Sequence, residues 1–138
     1  MRETKDFLGQ IQRIEHMIEA KTAEIAHLKT AAVNTSPNYG GEGGRSSGKH
    51  DKIAEAVAKY VDLERETESL IDVLAEKKRE ILSVIDDVRN PLQYAVLSKR
   101  YIQYKSFGKI AEELHYSYWY ILEVHGAAVR SVRDILQR

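Results

Sequence analysis

The stretch SFGKIAEELHYSYWYILEVHGAAVRSVR, residues 106–133, contains two helix starts and the turn between them. Ser106 is a natural cap for a helix over Phe107 to His115, whose apolar side is Phe107, Ile110, Ala111 and Leu114. A two-residue turn, Tyr116-Ser117, ends in a second capping serine. The next helix starts at Tyr118 and runs towards the C-terminus. It places Ile121, Val124, Ala128, Val132 and Ile135 three or four apart on an inner face. A small side chain at Ala111 lets the two helices cross closely, so the spacing predicts a helix-turn-helix.

One more helix precedes this pair. Asn90 suits a helix N-cap, and Pro91 suits the first helical position, where a missing N–H costs nothing. The following helix is expected over Leu92 to Tyr104, which makes residues 89–138 a three-helix domain.

Residues 1–88 read as a long helical hairpin with coiled-coil spacing. The first arm, about Glu3 to Lys29, carries Phe7, Ile11, Ile14, Ile18, Ile25 and Leu28, with Lys21 interrupting the seam. The second arm, about Asp51 to Val88, carries Ala56, Tyr60, Leu63, Thr67, Leu70, Leu74, Ile81, Val84 and Val88 in the same rhythm. Ile71, Leu82 and Ile85 widen its apolar stripe beyond what one partner helix covers. That face is expected either to pack against the C-terminal domain or to self-associate, giving a homo-oligomer through the N-terminal helices. Between the arms, residues 30–50 form a Gly/Ser-rich loop with Pro37, Gly40, Gly41, Gly43, Gly44 and Gly48, a composition that favours flexibility. The fold class is therefore all-α.

Composition narrows the function. The chain has 138 residues, 21 basic and 21 acidic side chains and no cysteine. Without cysteine there is neither a disulfide framework nor thiol chemistry, which fits a reducing cytoplasm. Met1 to Asp6 leads into an amphipathic run, the wrong pattern for a signal peptide, and no apolar stretch is long enough to span a membrane. The five histidines lack metal-ligand spacing, and the carboxylates lie on solvated helix faces, so no enzyme activity, metal or cofactor is expected. Gly43-Gly44-Arg45-Ser46-Ser47-Gly48-Lys49-His50 nearly spells a phosphate-binding loop. It ends in His50 where Ser or Thr is needed, and no strand precedes it. Gly126 inside the last helix suggests close approach of another backbone.

The neutral net charge is unevenly spread. Residues 1–88 carry 13 Lys/Arg against 17 Asp/Glu, while residues 89–138 carry 8 against 4, a net of +4. Lys99, Arg100, Lys105, Lys109, Arg130 and Arg133 are candidates for touching phosphates of duplex DNA. At the start of the last helix, Ser117, Tyr118, Trp119, Tyr120, Leu122 and Glu123 occupy the positions that would face base edges. Aromatic rings there can meet thymine methyls, and Glu123 can accept from cytosine. The other reading has Trp119 and Tyr120 packed on the preceding long helix or on a partner protein.

Arg100-Tyr101, the helix Ile110 to Leu114, Ser117, Ile121, Val124, Ala128-Val129 and Val132-Arg133 together resemble region 4 of bacterial sigma factors. Ser46-Ser47-Gly48-Lys49-His50-Asp51-Lys52, followed by Ala54-Glu55-Ala56-Val57, resembles a family of small proteins from phages and prophages of Gram-positive bacteria. These resemblances imply a phage-type transcriptional regulator in the cytoplasm of a bacterial host, acting on promoter DNA, on host RNA polymerase, or on both. Two alternatives stay open. One is a coiled-coil oligomeric phage assembly or packaging protein; the other is a helical adaptor that binds protein without DNA.

Overall fold

A computed structural model describes residues 1–34 and 46–138. Among the described residues there are six α-helices and no strand, so the protein is all-α. The helices are α1 (Arg2–Leu8), α2 (Gln10–Asn34), α3 (Ser46–Asp86), α4 (Pro91–Leu97), α5 (Phe107–Leu114) and α6 (Tyr118–Leu136). A π-helical turn, Ser98–Ile102, continues directly from α4. The Gly/Ser-rich loop expected over residues 30–50 is shorter than its composition suggests: residues 30–34 end α2 and residues 46–50 begin α3, while residues 35–45, with Gly43, Gly44 and Arg45 of the near phosphate loop, lie outside the described residues.

The first arm of the hairpin is two helices rather than one. Gly9 separates them, with its N–H bonded to the Lys5 carbonyl at 2.9 Å and its own carbonyl accepting from Arg13 N at 3.2 Å. A Cβ at Gly9 would stand 3.3 Å from the Lys5 oxygen, so the break belongs where only glycine fits without adjustment.

By contact density the chain forms two compact units, one joining Met1–Glu15 with Leu74–Arg138 and the other spanning His16–Val73. The larger core of the first unit contains Leu8 and Ile11 from the N-terminal helices and Ile81, Ile85 and Val88 at the end of α3. Leu97, Ala128, Val129 and Val132 complete it. Burying each large aliphatic side chain contributes about 1.5–3 kcal/mol, so the first two turns of the protein are structural parts of the C-terminal domain. Ile81, Ile85 and Val88 thus use their apolar stripe inside this unit, while Ile71 and Leu82 stay exposed. A second cluster, Val96, Ile110, Ala111, Ile121 and Val124, joins α4, α5 and α6, with Leu92, Phe107 and Leu114 packed around it.

The second unit is an antiparallel hairpin. Lys21, the charge in the middle of the seam, reaches Glu66 at 2.8 Å, and Lys29 reaches Glu64 at 2.9 Å while lying 5.4 Å from the Tyr60 ring centre. Its described residues bury one side chain, Thr67, whose hydroxyl donates to the Leu63 carbonyl at 2.7 Å. No helix among the described residues is long and apolar enough to cross a membrane.

Candidate nucleic-acid interface

Local chemistry builds the segment that presents the candidate residues. The Asn90 side chain accepts from Leu92 N and Gln93 N at 3.0 and 3.1 Å, which starts α4 at Pro91. Ser106 accepts from Lys109 N at 3.2 Å and Ser117 from Tyr120 N at 3.1 Å, so both serines serve as N-caps. Between them His115 sits in the left-handed region at φ 62, ψ 41 and stops α5. Tyr116 N then reaches the Ala111 carbonyl at 3.0 Å. This closure leaves the chain free to reverse direction into α6.

The inner face of α6 is fixed by Ile121, Val124, Ala128, Val129 and Val132, all buried. Its first turn lies outside the core. Trp119 is 74% exposed, and Tyr116, Tyr118 and Tyr120 are nearly half exposed. These rings pair with one another: Tyr116 and Tyr120 have centres 5.0 Å apart, and Tyr118 stands edge-on to Trp119 at 5.4 Å. Trp119 and Tyr120 therefore do not pack into the protein's own core. Glu123 is exposed and Leu122 is half-buried.

The basic candidates divide into two groups. Lys105 makes a two-pronged contact with Glu113, at 2.7 and 2.8 Å, and Lys99 reaches the same carboxylate at 2.7 Å. Hydrogen bonds from Lys105 and then Lys99 hold the Glu113 carboxyl down at about 2. Arg100 lies 4.1 Å from the Phe107 ring centre and donates to the Lys105 carbonyl at 3.1 Å. These three cations brace the π turn against α5. Lys109 and Arg130 are exposed, Lys109 with a loose 3.9 Å approach to Glu112. Arg133 is partly exposed and stands 3.5 Å from Asp134.

His125 was not among the candidate site residues, yet it is buried at the junction of three elements. Its Nε2 lies 2.7 Å from the Tyr101 hydroxyl, and its ring meets Phe107 edge-on at 4.8 Å. Burial, followed by the charges of Lys5 and Arg100, lowers its pKa to about 4, so it is neutral at pH 7. Burial also raises the Tyr101 hydroxyl above its ordinary value. At Gly126 an added Cβ would meet only the Arg130 guanidinium, at 3.7 Å. The expected close approach of a second backbone does not occur there.

Among the described residues no group of three His, Cys, Asp or Glu side chains is placed to hold a metal ion. No curated protein and no solved structure matches the chain. Residues 33–133 match a family described as proteins of unknown function, DUF1492, a span that covers the end of α2, all of α3 to α5 and most of α6. The chain therefore belongs to the DUF1492 family.

Proposed function

We propose that this protein is a transcriptional regulator of phage or prophage type, binding promoter DNA, contacting host RNA polymerase, or both. The observation that carries the reading is the α5–turn–α6 unit. Two serine caps and a left-handed His115 fix the turn, the inner faces close on Val96, and the first turn of α6 projects into solvent. A recognition helix needs that arrangement, because its N-terminal residues must reach a groove while its other face stays packed. The sigma region 4-like pattern of residues 100–133 points the same way.

Lys109 and Arg130 supply the phosphate contacts in this reading, being the exposed cations of α5 and α6 that lie outside the Glu113 clamp. Lys99 and Lys105 contribute less, since a phosphate would have to compete with Glu113. The test is duplex binding by fluorescence anisotropy across a range of salt. Lys109→Ala with Arg130→Ala should weaken binding and flatten the salt slope by roughly two phosphate contacts. An unchanged slope would remove this face from the DNA contact.

A further inference from the structure

We infer that the exposed aromatic start of α6 docks a protein segment that presents arginine among apolar residues. Four large rings in five residues, Tyr116, Tyr118, Trp119 and Tyr120, lie at the surface, and Trp119 keeps 74% of its area in solvent. Soluble domains rarely expose a contiguous aromatic patch without a use, and tryptophan and tyrosine are the side chains that most often anchor protein interfaces. The patch has internal contacts of its own. The Ser117 cap holds the first turn, and the rings brace one another at 5.0 and 5.4 Å.

Charge decides between a protein and a nucleic acid. From Ile110 to Val129 the chain has no lysine or arginine and three glutamates, Glu112, Glu113 and Glu123. Lys99 and Lys105 neutralise Glu113 and Lys109 stands 3.9 Å from Glu112, whereas Glu123 is exposed. Glu123 follows Trp119 by four residues, so its carboxylate stands one turn further along the same face of α6. A DNA strand laid on these rings would bring a phosphate with every nucleotide and meet carboxylates where stacking platforms carry cations. A guanidinium suits both features at once, because it stacks on an indole face and pairs with a carboxylate through two hydrogen bonds. The inference rests on the polymerase-contacting form of the proposed function: it gives the first turn of α6 to protein and leaves to DNA the phosphate contacts of Lys109 and Arg130, so an unchanged salt slope in the Lys109/Arg130 variant would remove DNA binding without touching it.

Trp119 is the only tryptophan of the chain and reports directly on this face. The full-length protein is titrated with an amphipathic peptide carrying arginines beside leucines, with its twin bearing glutamates for arginines, and with oligothymidylate. The arginine peptide should shift Trp119 emission saturably, and the glutamate twin should leave it unchanged. With a labelled arginine peptide, Trp119→Ala should weaken binding by about tenfold or more. Glu112→Gln with Glu123→Gln should weaken it by about threefold, while Lys109→Ala with Arg130→Ala should not weaken it. Circular dichroism matching the wild type shows that each variant is folded. Failure of the arginine peptide to move Trp119 emission overturns the proposal. So does a saturable response to oligothymidylate that the glutamine variants strengthen, which would give the face to nucleic acid.

Discussion

The Tyr101 hydroxyl and His125 Nε2, 2.7 Å apart, join the π turn to α6 inside the C-terminal unit. The pair makes stability depend on pH in a defined window. Folded His125 takes up a proton only near pH 4, whereas in the unfolded chain it does so near 6.5. Between those values the unfolded state binds more protons, so stability is full above 6.5 and falls as pH drops towards 4. A loss on the order of 2 kcal/mol is expected across that interval. Thermal unfolding followed by circular dichroism should show the decline in the wild type and a flatter profile between pH 6.5 and 4.5 in His125→Phe. Parallel profiles would mean that the histidine is not the titrating group.

Glu113 titrates lower. Its folded pKa lies below the unfolded value, so its contribution is present above about pH 4.5 and is lost as pH falls towards 2. At neutral pH the same carboxylate occupies two lysines on the basic side of the domain. Glu113→Ala should therefore release Lys99 and Lys105, tighten duplex binding and steepen its salt dependence by one to two phosphate contacts, roughly. Weaker duplex binding with unchanged helicity would show that the clamp positions the interface.

A Cβ at the half-buried Gly126 would make one contact within 4 Å outside its own helix backbone, with the Arg130 guanidinium at 3.7 Å. Alanine there should stabilise the protein by about 0.5–1 kcal/mol, the helix-propensity difference between the two residues. Urea denaturation measures it. A destabilised Gly126→Ala would mean that the added methyl meets an obstacle other than its ordinary 3.7 Å contact with Arg130.

His115 carries the left-handed conformation that ends α5, a conformation costing most side chains about 1–2 kcal/mol. His115→Gly should accordingly raise the denaturation midpoint, and His115→Val should lower it. The reverse order would show that the imidazole makes a compensating contact at the turn.

Much of the fold was legible because its signals are local. Asn90, Pro91, Ser106 and Ser117 mark helix starts by backbone chemistry alone, and the steps Ile121, Val124, Ala128, Val132 define a buried face by period. Tertiary facts were not legible in that way. Nothing in the seam of the first arm distinguishes Ile11, which enters the C-terminal core, from Ile18 and Ile25, which lie in the hairpin unit, and the fully buried Leu8 is off that seam while the seam residue Phe7 packs only at the core's edge. The engagement of Lys99 and Lys105 by Glu113 depends on the π turn, for which spacing gives no sign. The His125 site shows in sequence only as a polar residue on an otherwise apolar helix face, next to the seam position Val124.

The last prediction concerns the hairpin unit, His16–Val73. Its seam residues Ile18, Ile25, Leu28, Leu63 and Leu70 are only half-buried, Met17, Val57, Ile71 and Val73 are exposed, and Thr67 is the one buried side chain among its described residues. Two helices paired alone cover one stripe each, and the remaining apolar area gains about 25 cal/mol per Å² when a second copy removes it from water. The protein is therefore expected to self-associate through this hairpin. The ion pairs Lys21–Glu66 and Lys29–Glu64 set the register of the two arms and contribute little energy themselves, being surface pairs. Met17→Asp with Ile71→Asp places a charge at one exposed apolar position on each arm, outside the C-terminal core. Each should cost about 1.4 kcal/mol or more in the assembly, raising the dissociation constant by roughly a hundredfold. Sedimentation equilibrium should show concentration-dependent association in the wild type and a monomer in the variant, with matching circular dichroism. A wild-type chain that remains monomeric across the accessible concentration range would mean that the half-buried seam is stable as it stands.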